Sequence, residues 1–459
     1  MKTRKEHDIL GDIEVPYDSY YGSETQRALE NFNISGVHVS FEIIRAYAII
    51  KKGAAIANMK SGALDRIIGK SIIRACDEIL EGKLSDQFKI DVFQAGAGTN
   101  TNMNVNEVIA NRALELLKKK RGSYNIINPN DHVNMGQSTN DTYHTAMNIA
   151  LVLLIKNSLL PDIKSLKEAL NKKANNFKNI IKVGRTHLQD AVPISLGDEF
   201  SGYASSMQEI IEHLNYAITK LSNVPIGGTA VGTGLNAKSD YKKNILNEIN
   251  ILTKHKFSGN KNIFSGMQNP IEELLLSGIL KTAAIEVSKI ANDFRLLGSG
   301  PRSSISEITL PAVQPGSSIM PGKINPSIAE MMNMACFHLI GACSTVEWAV
   351  GGAQLELNVF MPIISFELIS SIKIFSNAIK TFDKKCVVGI KPNIASINAH
   401  LKSNLSIVTA LTPYIGYQKA SEIAIRAYKE NSSIIDVCMR MHILDKNKLN
   451  EILDPKNMI

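Results

Sequence analysis

The feature that most restricts the fold is a series of apolar stripes at helical spacing, each too long for a small core. Residues 271–297 carry Leu274, Ile279, Ala283, Val287, Ile290, Phe294 and Leu297. Steps of mostly three and four residues predict one long amphipathic helix. Ile43, Tyr47, Ile50 and Ala54 open the same pattern over 41–84, and it returns over 107–120, 165–177, 327–350 and 362–382. Another long helix is predicted to run through Leu160, with Pro161 either kinking it or marking a new first turn. Strand signals are few. Residues up to about 40 read as irregular, and after Pro392 the segments shorten into a small helical region rich in Lys, Asn and Ser. The fold class expected is mainly all-α, built on an elongated helix bundle. A chain of 459 residues is too long for one simple core and predicts two or three packed regions.

Several function classes fall away early. Hydrophobic residues make up 44% and charged residues 20%, which excludes a disordered chain. No uninterrupted apolar run reaches the roughly 18–20 residues of a bilayer span. The nearest, Ile149 to Ile155, is ended by Lys156. Met1 to Asp8 has no apolar stretch behind its charges, so no secretory signal is read there. A cytoplasmic protein with no membrane partner is expected. The five cysteines form no CxxC and no local ligand set with His, so buried free thiols and no metal are expected. The net charge of +8 is concentrated only at Lys118-Lys119-Lys120-Arg121, where a helix should end and cations complement its dipole. Nucleic acid is not an expected partner. A general positive field suits an anionic substrate.

Four polar islands interrupt the apolar pattern, at 96–106, 134–141, 184–190 and 316–326. At helix ends, islands of this kind can converge on a cleft whose hydroxyls, amides and N–H groups hold carboxylates. The plainer account is capping, with Thr99, Ser138 and Thr186 satisfying free N–H groups at helix starts. Four islands in one chain favour a site. The fourth is the most specific: Gly316-Ser317-Ser318-Ile319-Met320-Pro321-Gly322-Lys323-Ile324-Asn325-Pro326. Its glycines and proline let backbone N–H groups point inward and stabilise an oxyanion, and Lys323 adds positive charge. A serine in such a nest reaches the alkoxide more easily, as abstraction of a carbon-bound proton requires.

This loop resembles that of the aspartase/fumarase superfamily, and the similarity runs from Tyr20-Tyr21-Gly22 to the C-terminal region. Lyases of argininosuccinate and adenylosuccinate share the Ser-Ser-x-Met-Pro core, but Met320-Pro321-Gly322-Lys323-Ile324-Asn325-Pro326 resembles the fumarase and aspartase branch. The resemblance implies three mainly helical domains, placed here at 1–134, 135–393 and 394–459. It also implies a homotetramer with sites shared among three subunits, and a small dicarboxylate substrate. No cofactor is expected. Ser317 matches the proton-abstracting serine, and Ser318, Lys323 and Asn325 match carboxylate-binding positions. Thr99, Ser138, Thr139 and Asn140 match two substrate loops, and Thr186 and His187 the third. Glu330 matches an acidic partner of the histidine. Lys323 and His187 are taken with Ser317 as the catalytic set.

Two eliminations share this skeleton, of ammonia from aspartate and of water from malate. Ala97, Thr139, Asn128, Gln354-Leu355-Glu356-Leu357-Asn358 and Arg4-Lys5-Glu6-His7-Asp8 resemble the aspartase pattern. Thr25-Gln26-Arg27 and Gly227-Gly228-Thr229-Ala230-Val231 lean to fumarase, and His187 fits both. Met361, His144 and Ala342-Cys343 depart from both patterns. The differences nearest the substrate favour aspartate ammonia-lyase activity, with class II fumarate hydratase as the alternative.

Overall fold

The structure is a computed structural model and describes residues 2–459. Helices dominate, and the longest match the stripes: Ile271–Leu297, Ser327–Gly351 and Met361–Lys385. The stretch 41–84, read as helical, forms the two helices Phe41–Lys60 and Arg66–Leu80. Ser40 caps the first by accepting from Glu42 N, and Asp65 caps the second by accepting from Ile67 N and Ile68 N. Pro161 stands in the first turn of the helix Leu160–Phe177, one of the two places expected for it. A π-helical turn, Ile155–Leu159, joins Thr139–Leu154 to Leu160–Phe177 just before the proline's missing donor.

Two hairpins correct the sequence reading. Thr3–Asp8 pairs antiparallel with Gly11–Pro16, where irregular chain was expected. Ile181–Thr186 pairs with Gln189–Ser195, where a polar loop was expected to lead straight into helix. Both hairpins are short and carry polar residues on both faces, so period-2 alternation is weak. Uninterrupted apolar runs also understated the long helices. By length and composition, Thr139–Phe177, Ser327–Gly351 and Met361–Gly389 are long and apolar enough to cross a membrane. An average over a window tolerates the buried Asn148, Ser365 and Ser371 that interrupt a run. In the first and third, 61% of the window is buried within the chain itself, against 28% in the second.

The chain divides into two compact units. One comprises residues up to Pro161 with Glu212–Ala284 and Phe337–Phe375. Its core surrounds Phe41–Lys60, which packs on Arg66–Leu80, Thr139–Leu154 and Tyr241–Thr253. Tyr47 meets Tyr143 edge to face at 6.1 Å. Buried Glu107 accepts the backbone N–H groups of Gly22, Glu24 and Thr25 at 2.8, 2.9 and 3.1 Å, which pins the N-terminal segment to this core. The other unit comprises Asp162–Ile211, Ile285–Cys336 and Ser376–Ile459. Phe200 stands at its centre, 5.4 Å from both Phe177 and Phe294. Within this unit, Val408, Leu411, Ile423, Val437 and Leu449 form a separate cluster under the short C-terminal helices. All five cysteines are free and buried.

Candidate active site

The first two islands lie in the first unit. Thr99 is the first residue of the helix Thr99–Leu116 and is exposed. The turn before it is left-handed at Ala97 (φ 59°) and Gly98 (φ 79°), and Ala97 N donates to Val359 O at 2.7 Å. Gly98 is the N-cap and offers no side chain, so Thr99 is not the capping residue. Ser138 is one: it accepts from Asn140 N at 3.2 Å, while Asp141 returns an acceptor to Ser138 N at 3.0 Å.

Asp141 also organises the glycine-rich connection at 227–236. Its other oxygen accepts from Gly227 N at 2.9 Å and Thr229 N at 3.0 Å. Asn140 Nδ2 donates to Ala230 O at 2.7 Å. These bonds hold the connection against the N-terminus of Thr139–Leu154, where free N–H groups favour an anion. Burial pushes the Asp141 carboxyl up to about 6, against those N–H bonds. Lys51 is fully buried nearby, and burial pulls its ammonium down to about 7 against the attraction of Asp141. Sequence reasoning missed both. A Lys in register with the apolar stripe of Phe41–Lys60 and an acid three residues after a capping serine were the available signals.

The other two islands lie in the second unit. Thr186 ends one hairpin strand, and His187 (φ 55°) and Leu188 (φ 60°) form its two-residue turn. Both turn residues are left-handed, as a type I′ turn demands, yet neither is the Asn or Gly such turns prefer. His187 is thereby held out at an exposed tip, an unfavourable backbone of the kind that persists at functional sites. The base of this hairpin is clamped by Glu307, which is fully buried. Arg185 Nη2 lies 2.9 Å, Lys182 Nζ 3.0 Å and His400 Nδ1 3.1 Å from its carboxylate. Burial would raise that carboxyl, but the bonds and charges of Arg185 and Lys182 outweigh it and hold the pKa below the usual value.

In the loop 316–326, Ser317 is half-buried and its Oγ accepts two backbone N–H groups, from Met320 at 2.9 Å and Ile319 at 3.3 Å. Gly316 N donates to Lys323 O at 3.1 Å, and Asn325 Nδ2 donates to Gly316 O. The neck is tight enough that a Cβ on Gly316 would lie 2.3 Å from Lys323 O. Ser318 and Lys323 are exposed, while Asn325 and Glu330 are half-buried. Among the described residues, His187 and Glu330 are not bonded to each other within one chain. The arrangement can stabilise negative charge on Ser317 and present hydroxyls, amides and one cation to an anionic substrate.

Comparison with known proteins follows the same lines. A family described as lyase matches residues 11–341, and one described as the fumarase C C-terminus matches 407–459. Over 99% of its length the chain is 46% identical to an aspartate ammonia-lyase of Bacillus sp, of which it covers 97%. Over 96% it is 46% identical to a class II fumarate hydratase of Thermosynechococcus vestitus, of which it covers 95%. The crystal structure of a class II fumarase from Schistosoma mansoni matches with a TM-score of 0.98 at 36% identity, covering 100% of this chain and 99% of that one.

Proposed function

Because the chain belongs to the lyase family that holds both fumarases and aspartases, we propose that it is an aspartate ammonia-lyase, removing ammonia from L-aspartate to leave fumarate. The observation that carries the chemistry is the pair of N–H groups on Ser317 Oγ. They stabilise an alkoxide, so Ser317 acts as the base. The proton on the carbon beside one carboxylate passes to Ser317 Oγ, and its electron pair delocalises into that carboxylate as an aci-carboxylate. The pair then forms the double bond as the C–N bond breaks and nitrogen leaves with its electrons as ammonia. Ser318, Lys323 and Asn325 hold the carboxylate that gains charge. By the family resemblance, Thr99, Ser138, Thr139 and Asn140 bind the rest of the substrate, and Thr186 and His187, with Glu330 partnering the histidine, are contributed to the same substrate by another copy of the chain.

Ammonia is favoured over water by the leaving group's needs. An ammonium group brings its own protons and needs acceptors, whereas hydroxide needs a proton delivered. Thr99, Asn140 and His187 supply acceptors. Asn128 supports the same reading: its Oδ1 accepts from Asn130 N at 2.7 Å and Asp131 N at 3.1 Å, which makes it a cap on a π-turn. The hydratase reading stays as the alternative because relatives of both activities are equally similar. A site built around one polar group rejects its analogue strongly. The test is kcat/KM for L-aspartate and for L-malate on one purified preparation, with ammonia measured directly. Fast aspartate turnover with ammonia release is expected. Efficient malate conversion without ammonia from aspartate would replace this reading with the hydratase.

Assembly as a homotetramer belongs to the same proposal. Phe337 and Trp348 lie three turns apart on Ser327–Gly351 and are 60% and 82% exposed in the single chain. Large apolar side chains on one helix face are suited to burial against another copy.

A further inference from the structure

Lys51 is the one cation of Phe41–Lys60 that is buried, and none of its side chain reaches solvent. A buried ammonium is costly unless each N–H finds an acceptor. Lys51 makes no ion pair among the described residues. Its three N–H groups go to three amide oxygens instead: Asn102 Oδ1 at 2.8 Å, Asn134 Oδ1 at 2.8 Å and Gln137 Oε1 at 3.0 Å. Asn102 stands on Thr99–Leu116, and Asn134 and Gln137 stand on the turn leading into Thr139–Leu154. One cation therefore ties together the two segments that carry Thr99 and Ser138–Asn140.

The cation also sets the direction of the bonds beyond it. An ammonium only donates. Asn102 must turn its oxygen to Lys51, so its nitrogen faces Thr139 Oγ1 at 3.0 Å and Asn134 Oδ1 at 3.3 Å. A hydroxyl has one hydrogen. Thr139 Oγ1 already accepts from Asn102, and among the described residues nothing accepts its own proton. We infer that Lys51 is a positioning residue: acting through Asn102, it commits the Thr139 hydroxyl to donate to a substrate carboxylate. Without the cation the Asn102 amide is free to rotate, and Thr139 can spend its proton on Asn102 Oδ1. The inference rests on the dicarboxylate reading above, but not on whether ammonia or water leaves, because both reactions share fumarate.

The test is steady-state kinetics with fumarate as the common substrate, in the presence and absence of ammonium. Lys51→Met keeps the length of the side chain and removes its donors. KM for fumarate is expected to rise about tenfold, the worth of one hydrogen bond to a charged group, with kcat within about threefold of wild type. Thr139→Val should show the same rise, and Lys51→Met combined with Thr139→Val should be no worse than Thr139→Val alone. Asn102→Asp gives an independent arm that keeps a partner for the buried cation. Aspartate accepts from Lys51 but has no N–H for Thr139, so KM should rise again. Additive effects in the double variant, a loss confined to kcat, or a wild-type KM in Asn102→Asp would each overturn the inference. A wild-type enzyme that converts neither fumarate, aspartate nor malate would instead sink the proposed function and take this inference with it.

Discussion

Ser317 and His144 sit in surroundings of opposite kind: two backbone N–H groups face the Ser317 Oγ, while His144 is buried. At Ser317 two N–H groups favour the charged form, so Ser317→Ala should lose turnover by roughly 10²–10⁴-fold. A half-buried loop hydroxyl contributes little to packing, so the melting temperature should move by only about 2 °C. Wild-type turnover in a folded variant would remove Ser317 as the base. At His144 burial favours the neutral form and pulls the imidazole down to about 4 from 6.5, with a hydrogen bond to the Met267 backbone opposing. The folded value lies below the unfolded one, so the unfolded chain takes up the proton first. Stability that depends on the neutral ring is complete above pH 6.5 and is lost as pH falls from 6.5 towards 4. The loss reaches at most about 1.4 kcal/mol per pH unit. Denaturant unfolding across that window should show a shallower pH slope in His144→Asn than in the wild type. Identical slopes would mean that His144 is not the group responsible.

Among the elements, two helix starts and one hairpin tip carry Thr99, Ser138 and His187. Gly98 lets the chain turn left-handed directly before Thr99, with Tyr143 packed over it. A Cβ there would lie 2.1 Å from the Tyr143 ring, and the φ of 79° is one an L side chain rarely adopts. Gly98→Ala should therefore cost roughly 2–4 kcal/mol of stability, the sum of a left-handed backbone and an overpacked core. A variant within about 0.5 kcal/mol of wild type in urea unfolding would contradict this account. The sequence showed islands where polar residues break a helical period, but it did not show what kind of break each was. Ser138 is a helix cap, Thr99 follows a glycine turn, and His187 stands on a hairpin. Each residue type is compatible with all three settings, and only pairing with distant chain selects one. Asn140 and Asp141 face the 227–236 connection, and Arg185 faces Glu307, across separations that local periodicity cannot report.

For the whole molecule, the helix face that carries Phe337 and Trp348 is exposed in the single chain and is expected to be covered by assembly. Sedimentation should give a tetramer. Trp348→Glu should shift it towards smaller species and lower activity in parallel, because a charge replaces a large apolar contact. The chain has a single tryptophan, so its fluorescence should move to shorter wavelength as the protein is concentrated through the assembly range. A fully active monomer would end both the assembly proposal and the idea of a shared site.

What the sequence determined by itself is the long helices, the place of the Gly316–Pro326 loop between two of them, and the family. A stripe such as Leu274 to Leu297 encodes its own helix at a 3.6-residue period, and the run from Gly316 to Pro326 has few other uses. The tertiary structure decided the rest. It turned Lys51 from an interruption in a stripe into the donor for three amides, and Glu307 from an ordinary acid into the clamp beneath His187. The reason is physical. Helical period depends on neighbours along the chain, whereas the state of a buried charge depends on which distant groups reach it, and desolvation makes those few contacts decisive.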